Sequence, residues 1–186
     1  MSAERIFVAL LHWPVRNKEG RIIATALTTI DIHDFARLGR TFGLGGVYIV
    51  TPILTQLELG QRIVHYWTEG PGAQHNPLRK MALEKVRFSL SLEEVLEDFK
   101  GQLGVVPKMV ATSARNFPNS ISYVELRKEI ERGGYYLILF GTGWGLSDEL
   151  ILQADYRLEP IEGKGYNHLS VRTAAAIIID RLVGRW

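Results

Sequence analysis

Three short loops rich in small residues contain the groups of this sequence that could bind a ligand. They are residues 112–114 (TSA), 141–145 (GTGWG) and 163–167 (GKGYN), and each follows a stretch with the composition of a β-strand. Ligands of open parallel sheets bind beyond the carboxyl ends of the strands, and glycine lets the backbone approach them closely. A single loop of this kind predicts only a tight turn, but three at one edge of a sheet predict a ligand pocket.

The glycine spacing and the histidines narrow the chemistry of that pocket. No Lys-Ser or Lys-Thr pair follows the glycines, and G-x-G-x-G differs from the dinucleotide fingerprint G-x-G-x-x-G. A phosphate loop and a nucleotide-dependent oxidoreductase are therefore both disfavoured. The five histidines form no HExxH motif or close pair, so no metal site is expected. The sequence also lacks the G-x-S-x-G elbow of serine hydrolases.

Apolar runs alternate with helical patterns along the chain, which predicts a mostly parallel sheet with helices on both faces, an α/β fold. Strands are predicted at residues 5–11, 47–50, 105–112, 135–140 and 156–159, and helices at 31–43, 54–67, 77–86, from 91 onwards, and at 120–132, 146–153 and 168–183. Residues 68–77 are predicted to form a loop. Asp31, Ser91 and Ser120 are the predicted N-caps, with Glu94 completing a capping box after Ser91.

The composition fits one domain over residues 1–186. The chain is 46% hydrophobic, and its 22 basic and 20 acidic residues give a net charge of +2, which neither requires nor excludes a nucleic-acid partner. There is no cysteine, and charged residues or glycine interrupt every long apolar run. We therefore expect a soluble, cytoplasmic protein with no disulfide framework, no signal peptide and no membrane segment.

Two parts of the chain resemble the SPOUT class of RNA methyltransferases. LFGTGWGL, and EPI followed by YNHLSVRTAAAI, are similar to the cofactor-binding end of that class, and DIHDFARLGRTFG is similar to its arginine-containing helix. Nearly the whole chain resembles a small SPOUT family of stand-alone bacterial proteins that also occurs fused to, or beside, tRNA guanine-N1 methyltransferase. The resemblance implies a C-terminal trefoil knot, a homodimer and S-adenosylmethionine (SAM) as the cofactor.

The resemblance also implies which residues bind SAM. The loop after the third strand and the glycine turn would flank the adenosine and ribose, and the third loop would enclose the adenine and the methionine. The implied cofactor-binding residues are Thr112, Ser113, Ala114, Phe140, Gly141, Thr142, Gly143, Gly145, Ile161, Tyr166, Asn167, His168, Leu169, Ser170 and Ala174. Trp144 has two interpretations, since it could stack on a base or cover the cofactor, or could simply pack against the sheet.

The predicted helix at residues 31–43 contains the candidate catalytic residues. By the resemblance, Arg37 takes the place of the functional arginine of ribose methyltransferases, and Asp31 the place of an asparagine. Methyl transfer from a sulfonium requires in-line placement of the nucleophile and, at most, the removal of one proton. Arg37 could orient a phosphate or stabilise an anion, and Asp31 or Asp148 could accept the proton. As ordinary structural residues, the two aspartates would instead stabilise helix N-termini.

The resemblance implies a SAM-dependent RNA methyltransferase that modifies a base nitrogen or a ribose oxygen of tRNA or rRNA. The glycine turn lacks the acidic residue of the ribose methyltransferases, so the alternative is a catalytically silent SAM-binding scaffold that assists another RNA-modifying enzyme. The last predicted helix is apolar around most of its circumference and needs cover on more than one side. The resemblance implies that a second copy of the chain covers this helix, and the alternative is that it is buried within the monomer.

Overall fold

Six parallel strands form the central sheet of the protein, whose computed structural model describes residues 3–184. The strands of the chain are β1 (Ile6–Leu11), β2 (Val15–Arg16), β3 (Ile22–Ile23), β4 (Gly46–Val50), β5 (Val86–Ser89), β6 (Lys108–Ala111), β7 (Tyr136–Gly141) and β8 (Tyr156–Arg157). The sheet has the order β5-β4-β1-β7-β6-β8, while β2 and β3 form a separate antiparallel hairpin. The central position of β1 brings the first strand of the chain beside β7, near the predicted pocket.

Helices cover both faces of this sheet. They are α1 (Thr29–Thr41), α2 (Leu54–Thr68), α3 (Pro71–His75), α4 (Pro77–Leu83), α5 (Leu92–Leu103), α6 (Tyr123–Arg132), α7 (Asp148–Gln153) and α8 (Val171–Val183), after a 3₁₀ turn at Ala3–Arg5. One hydrophobic core joins the sheet to α1, α4, α6 and α8, and the other joins it to α5 and α7. All six residues of β1 are buried, as expected for a strand between two helical layers. The predicted α/β class with a mostly parallel sheet is confirmed.

Two segments differ from the prediction. Residues 86–89 form β5, an edge strand paired with β4, whereas the prediction ended a helix at residue 86 and assigned no element to residues 87–90. With only four residues, this strand is too short to show a clear alternation of apolar and polar side chains. The predicted loop at 68–77 contains the short helix α3, which begins at Pro71 because proline suits the first helical position.

The predicted helix N-caps are partly wrong. Thr28, not Asp31, caps α1, and its hydroxyl accepts a hydrogen bond from the Asp31 N–H. Ser122, not Ser120, caps α6 and forms a capping box with Glu125. The last helix is capped by Ser170, so it begins three residues later than expected. Ser91 caps α5 as predicted, although the Glu94 carboxylate accepts from the Leu90 N–H instead of closing the box on Ser91.

The hairpin of β2 and β3 lies over the glycine turn that follows β7. The Arg16 N–H donates to the Gly145 carbonyl at 2.9 Å, and the Trp144 N–H donates to the Arg16 carbonyl at 2.9 Å. Val15 and Leu146 extend this contact as an antiparallel bridge. Backbone hydrogen bonds from the hairpin thus fix the glycine turn from outside the main sheet. No sequence pattern predicts this pairing, because the hairpin and the turn are far apart along the chain. Among residues 3–184 no helix is long and apolar enough to cross a membrane.

His12 lies directly after β1 and is completely buried. Its Nδ1 is 3.0 Å from the Thr25 hydroxyl, and that hydroxyl is 2.5 Å from the hydroxyl of Thr142. Its Nε2 is buried and has no hydrogen-bond partner among the described residues. A protonated imidazole at this position would be a poorly solvated cation, so the fold favours neutral His12.

We expect the free energy of unfolding to decrease as the pH is lowered from about 8 to about 5.5. Burial lowers the pKa of His12, although the nearby charge of Asp31 opposes this shift. Below the ordinary pKa of histidine, the unfolded chain binds a proton that the folded protein does not, so stability rises with pH across this range. Urea unfolding at several pH values measures the slope.

His12→Asn keeps a polar group near Thr25 and removes the titration, so its stability should depend less steeply on pH. A smaller slope should persist in the variant, because burial, together with Arg79 and Arg37, also lowers the pKa of His33. Identical slopes in the wild type and the variant would contradict the assignment to His12.

Candidate functional site

A cavity of about 760 Å³ lies at the carboxyl ends of β6 and β7, beside the first turns of α8. Its lining contains every residue implied to bind SAM except Tyr166. It includes the whole first loop and the whole glycine turn, but of the third loop only Asn167 lines the cavity within residues 3–184. Asp31 of α1 also faces this cavity. Arg37 does not belong to the lining found within residues 3–184, and its side chain is exposed on α1.

The glycine turn forms one wall of the cavity. Gly143 and Gly145 have φ values of +60° and +93°, which residues with a Cβ atom rarely adopt. At Gly141 the limit is space, since a Cβ would lie 2.5 Å from the backbone nitrogen of Leu146. The Thr142 N–H and hydroxyl both donate to the Leu11 carbonyl at 3.1 Å, which fixes the turn to the end of β1.

The other two loops are joined to the sheet and to each other. The Thr112 hydroxyl donates to the Leu139 carbonyl at 2.8 Å, which ties the first loop to β7. The Asn167 amide donates to the Ile161 carbonyl at 2.9 Å and to the Ala114 carbonyl at 3.3 Å. Asn167 therefore closes the third loop onto the first and does not cap α8. Tyr166 lies outside the cavity lining with 72% of its surface exposed, and its ring lies beside that of His168.

Sequence reasoning missed several residues that face the cavity. They are Thr25, Ala26, Arg115, Val171, Arg172 and Ile178. Trp144 also lines the cavity, which is consistent with its predicted role in covering the cofactor or stacking on a base. Thr25 and Ala26 come from the segment between β3 and α1, which shows no motif. The α8 residues could have been found from helical spacing, since Ala174 and Ile178 are four residues apart and share a face.

Asp31 is held by charged and polar neighbours at the cavity wall. Its side chain is only 5% exposed, and one carboxylate oxygen accepts from Arg172 of α8 at 2.5 Å. The other accepts from the Thr28 hydroxyl at 2.6 Å. Arg172 also pairs with Asp34 at 3.3 Å, so one arginine of α8 bridges two carboxylates of α1. This contact joins α1, which contains the candidate catalytic residues, to α8, whose first turns line the cavity.

Asp148 accepts hydrogen bonds from Arg16 and Arg115 close to the cavity mouth. The hydrogen bond from Arg115 is the main cause that lowers the pKa of Asp148, and Arg16 adds to it. A carboxylate with a lowered pKa is a weak proton acceptor, so this geometry disfavours Asp148 as the general base. No group of three or more side chains within residues 3–184 could hold a metal ion.

Comparison with known proteins gives the family of the chain. A profile described as SAM-dependent RNA methyltransferase matches residues 5–184. The chain belongs to this family of SAM-dependent RNA methyltransferases. It is 46% identical over 187 residues to an uncharacterised protein of Aquifex aeolicus (strain VF5), covering 100% of this chain and 91% of that protein. It is 45% identical over 180 residues to a tRNA (guanine-N(1)-)-methyltransferase of Oleidesulfovibrio alaskensis, covering 96% of this chain and 42% of the relative.

The fold of this RNA methyltransferase is similar to that of solved relatives. AviRb, a SpoU methyltransferase from Streptomyces viridochromogenes solved in complex with AdoMet, matches with a TM-score of 0.55 at 14% identity, over 95% of this chain and 56% of that one. At that identity the similarity shows the fold alone. The predicted class of enzyme and its cofactor, SAM, are confirmed by the family match.

The chemistry of the cavity lining fits SAM. Phe140, Ile161 and Leu169 form apolar walls of a kind that suits an adenine ring, while Ser113 has a hydroxyl suited to a ribose. The lining also contains the carboxylate of Asp31, which is paired with Arg172. Its negative charge would attract the positive charge of a bound sulfonium. A cavity of about 760 Å³ is within the usual range for sites that enclose a small molecule.

Gly141→Ala should weaken SAM binding by at least about tenfold, measured by calorimetric titration. The new Cβ would lie 2.5 Å from the Leu146 nitrogen and 2.8 Å from the Gly145 carbonyl carbon, so the backbone of the glycine turn would have to move. Gly101→Ala is the matched control, since its Cβ would meet nothing within 4 Å on α5. The control should keep SAM affinity and gain about 0.5–1 kcal/mol of stability. Unchanged affinity in Gly141→Ala would contradict a role of this turn in binding.

Arg172→Ala should lower the free energy of unfolding by about 2 kcal/mol, because it leaves the buried Asp31 carboxylate without its cation. The double variant Asp31→Asn/Arg172→Ala should lose less than the sum of the two single variants, as expected for a direct pair. Asp34→Asn is the control, since the Asp34 side chain is 45% exposed and should contribute at most about 0.5 kcal/mol. Additive losses at Asp31 and Arg172, measured by urea unfolding, would contradict the pairing.

Proposed function

We propose that this SAM-dependent RNA methyltransferase binds SAM in the cavity at the ends of β6 and β7 and methylates a base nitrogen of tRNA. The principal support is that the first loop, the glycine turn and Asn167 of the third loop line one cavity of about 760 Å³. SAM supplies the methyl group on its sulfonium. The residues of the chain hold the cofactor, exclude water from it and place the acceptor atom in line.

The relatives support the choice of substrate. The Oleidesulfovibrio alaskensis relative is a tRNA (guanine-N(1)-)-methyltransferase, and this chain spans 42% of its length. A base nitrogen of tRNA is therefore the proposed acceptor, and rRNA or a ribose oxygen is the competing outcome. We place the enzyme in the cytoplasm with its RNA substrate. Similarity in fold to a SpoU methyltransferase supports a trefoil knot formed by the segment that includes β7 and α8.

We further propose that the enzyme is a homodimer and that Arg37 acts in the pocket of the second subunit. Arg37 is exposed on α1 and lies outside the cavity lining of its own chain. In α8, Ala176 is exposed and Ile177 half-buried, so this apolar helix keeps uncovered area. In this arrangement Arg37 orients a phosphate or stabilises developing negative charge. Asp31 lines the cavity, whereas Asp148 does not belong to the lining found within residues 3–184, so Asp31 is the candidate proton acceptor.

Arg37→Ala should reduce the transfer of labelled methyl from SAM to RNA by about 100-fold and leave the SAM dissociation constant unchanged. The substrate is total RNA from a cell lacking the gene, and digestion to nucleosides identifies the modified atom. Arg40→Ala, another exposed arginine of α1, is the control and should retain activity. Undiminished transfer by Arg37→Ala would remove Arg37 from the mechanism.

Mixing subunits tests the shared site. The assay uses a mixture of Arg37→Ala and Gly141→Ala subunits at a SAM concentration well below the dissociation constant of Gly141→Ala, where each variant alone has little activity. The mixture should recover up to about a quarter of the wild-type activity, because half of the dimers then contain one intact composite site. No recovery, or a monomer on gel filtration, would exclude the shared site. SAM binding without transfer to any RNA would favour the scaffold protein, and no binding at about millimolar SAM would exclude both functions.

A further inference from the structure

Three aromatic rings form a continuous surface at the mouth of the cofactor cavity. The ring centroids of Trp144 and His168 are 5.9 Å apart, and those of His168 and Tyr166 are 5.2 Å apart. Trp144 is 55% exposed and Tyr166 is 72% exposed. Trp144 and His168 also line the cavity, so this aromatic surface continues from the pocket to the outside of the protein. Contiguous exposed aromatic area beside a pocket indicates a binding surface.

Two arginines lie beside this aromatic surface. Arg115 lines the cavity, and Arg16 bonds through its carbonyl to the Trp144 N–H at 2.9 Å. Both guanidinium groups contact the carboxylate of Asp148, and the Arg115 guanidinium also lies 4.9 Å from the centre of the Phe117 ring. The two cations are thus already arranged around one anionic group at the mouth of the cavity. A phosphate has the charge and oxygen geometry to bind the same guanidinium groups.

The backbone beneath Trp144 is held in place before any ligand binds. Gly143 and Gly145 on either side have positive φ, and the Trp144 N–H and Gly145 carbonyl are bonded to Arg16 in the hairpin. Little backbone entropy would therefore be lost when a flat ring stacks on the indole. Rings of this kind bind unpaired bases, because every base has a π-face and a base inside a duplex has neither face free.

We propose that Trp144, with His168 and Tyr166, stacks an unpaired base of the RNA substrate at the cavity mouth, while Arg115 and Arg16 bind an adjacent phosphate. This inference rests on the proposed function, since it makes RNA the ligand of the surface. It adds that the enzyme selects a nucleotide in a loop or one extruded from a helix, because only such a base can reach a methyl group held inside the cavity.

The first test compares the RNA dependence of methyl transfer with cofactor binding. Trp144→Ala should raise KM for total RNA by about tenfold or more, change the SAM dissociation constant by a much smaller factor, and leave the melting temperature unchanged. Trp144→Phe keeps a ring and should restore most of the loss. Tyr66→Ala is the control and should leave KM for RNA unchanged, because Tyr66 is 48% exposed on α2, a helix that contacts the edge strand β5.

Two outcomes of this test would overturn the proposal. Weaker SAM binding by Trp144→Ala with an unchanged KM for RNA would show that the ring covers the cofactor. Conversion of a dimer to a monomer by the same variant would show that the ring packs between subunits. Neither outcome affects the proposed methyltransferase function, which requires only that the wild type binds SAM and modifies RNA.

The second test does not depend on turnover. A fluorescein-labelled oligoadenylate of about twelve nucleotides should bind the wild type more tightly than Trp144→Ala in fluorescence anisotropy, and the matching duplex should bind both equally. Arg115→Ala should reduce the slope of log affinity against log salt concentration by about one. Equal binding of the single strand to wild type and Trp144→Ala would overturn the proposal even if methyl transfer is observed.

Discussion

The pairing of β1 with β7 is the contact on which the architecture of the site depends. Residues 6–11 pair in parallel with residues 136–141, so two segments far apart in the sequence end at the same edge of the sheet. The backbone N–H and carbonyl groups of a buried strand all need hydrogen-bond partners. At the end of β1 the Leu11 carbonyl accepts hydrogen bonds from the N–H and the hydroxyl of Thr142. The glycine turn is therefore a continuation of the sheet, and its position beside the cavity follows from strand register.

The remaining walls of the cavity are joined by polar pairs at the points where apolar packing ends. Arg172 and Asp31 join α8 to α1, Asn167 joins the third loop to the first, and Thr25 joins the segment before α1 to the glycine turn. The side chains around a cavity large enough for a cofactor lack the packing contacts that a filled core would give them. Directional bonds between polar groups can fix its walls without filling it, which explains why polar residues are concentrated around this part of the core.

The sequence predicted the parts of the site that depend on local pattern. Apolar runs located β1, β4 and β7, and the glycines of residues 141–145 marked the turn because positive φ limits the choice of residue. Arg172, Thr25 and the hairpin contact at Arg16 were not predicted, since each acts through a partner more than a hundred residues away. Asp31 was wrongly predicted as the N-cap of α1 for the same reason. A carboxylate near the start of a helix is a plausible cap, and its actual role, pairing with Arg172, depends on a residue of α8 that is distant in the sequence.

The electrostatics of the site favour a contribution of aromatic stacking to the proposed RNA binding. The whole chain has a net charge of only +2, and at the cavity mouth Arg16 and Arg115 are partly neutralised by Asp148. Phosphate contacts alone would therefore release few counterions and give only weak binding. Stacking on Trp144 depends much less on salt and acts only on a base that has left its helix. A small domain with little excess charge can thus distinguish an accessible nucleotide from a paired one by the same contact that brings it to the cofactor.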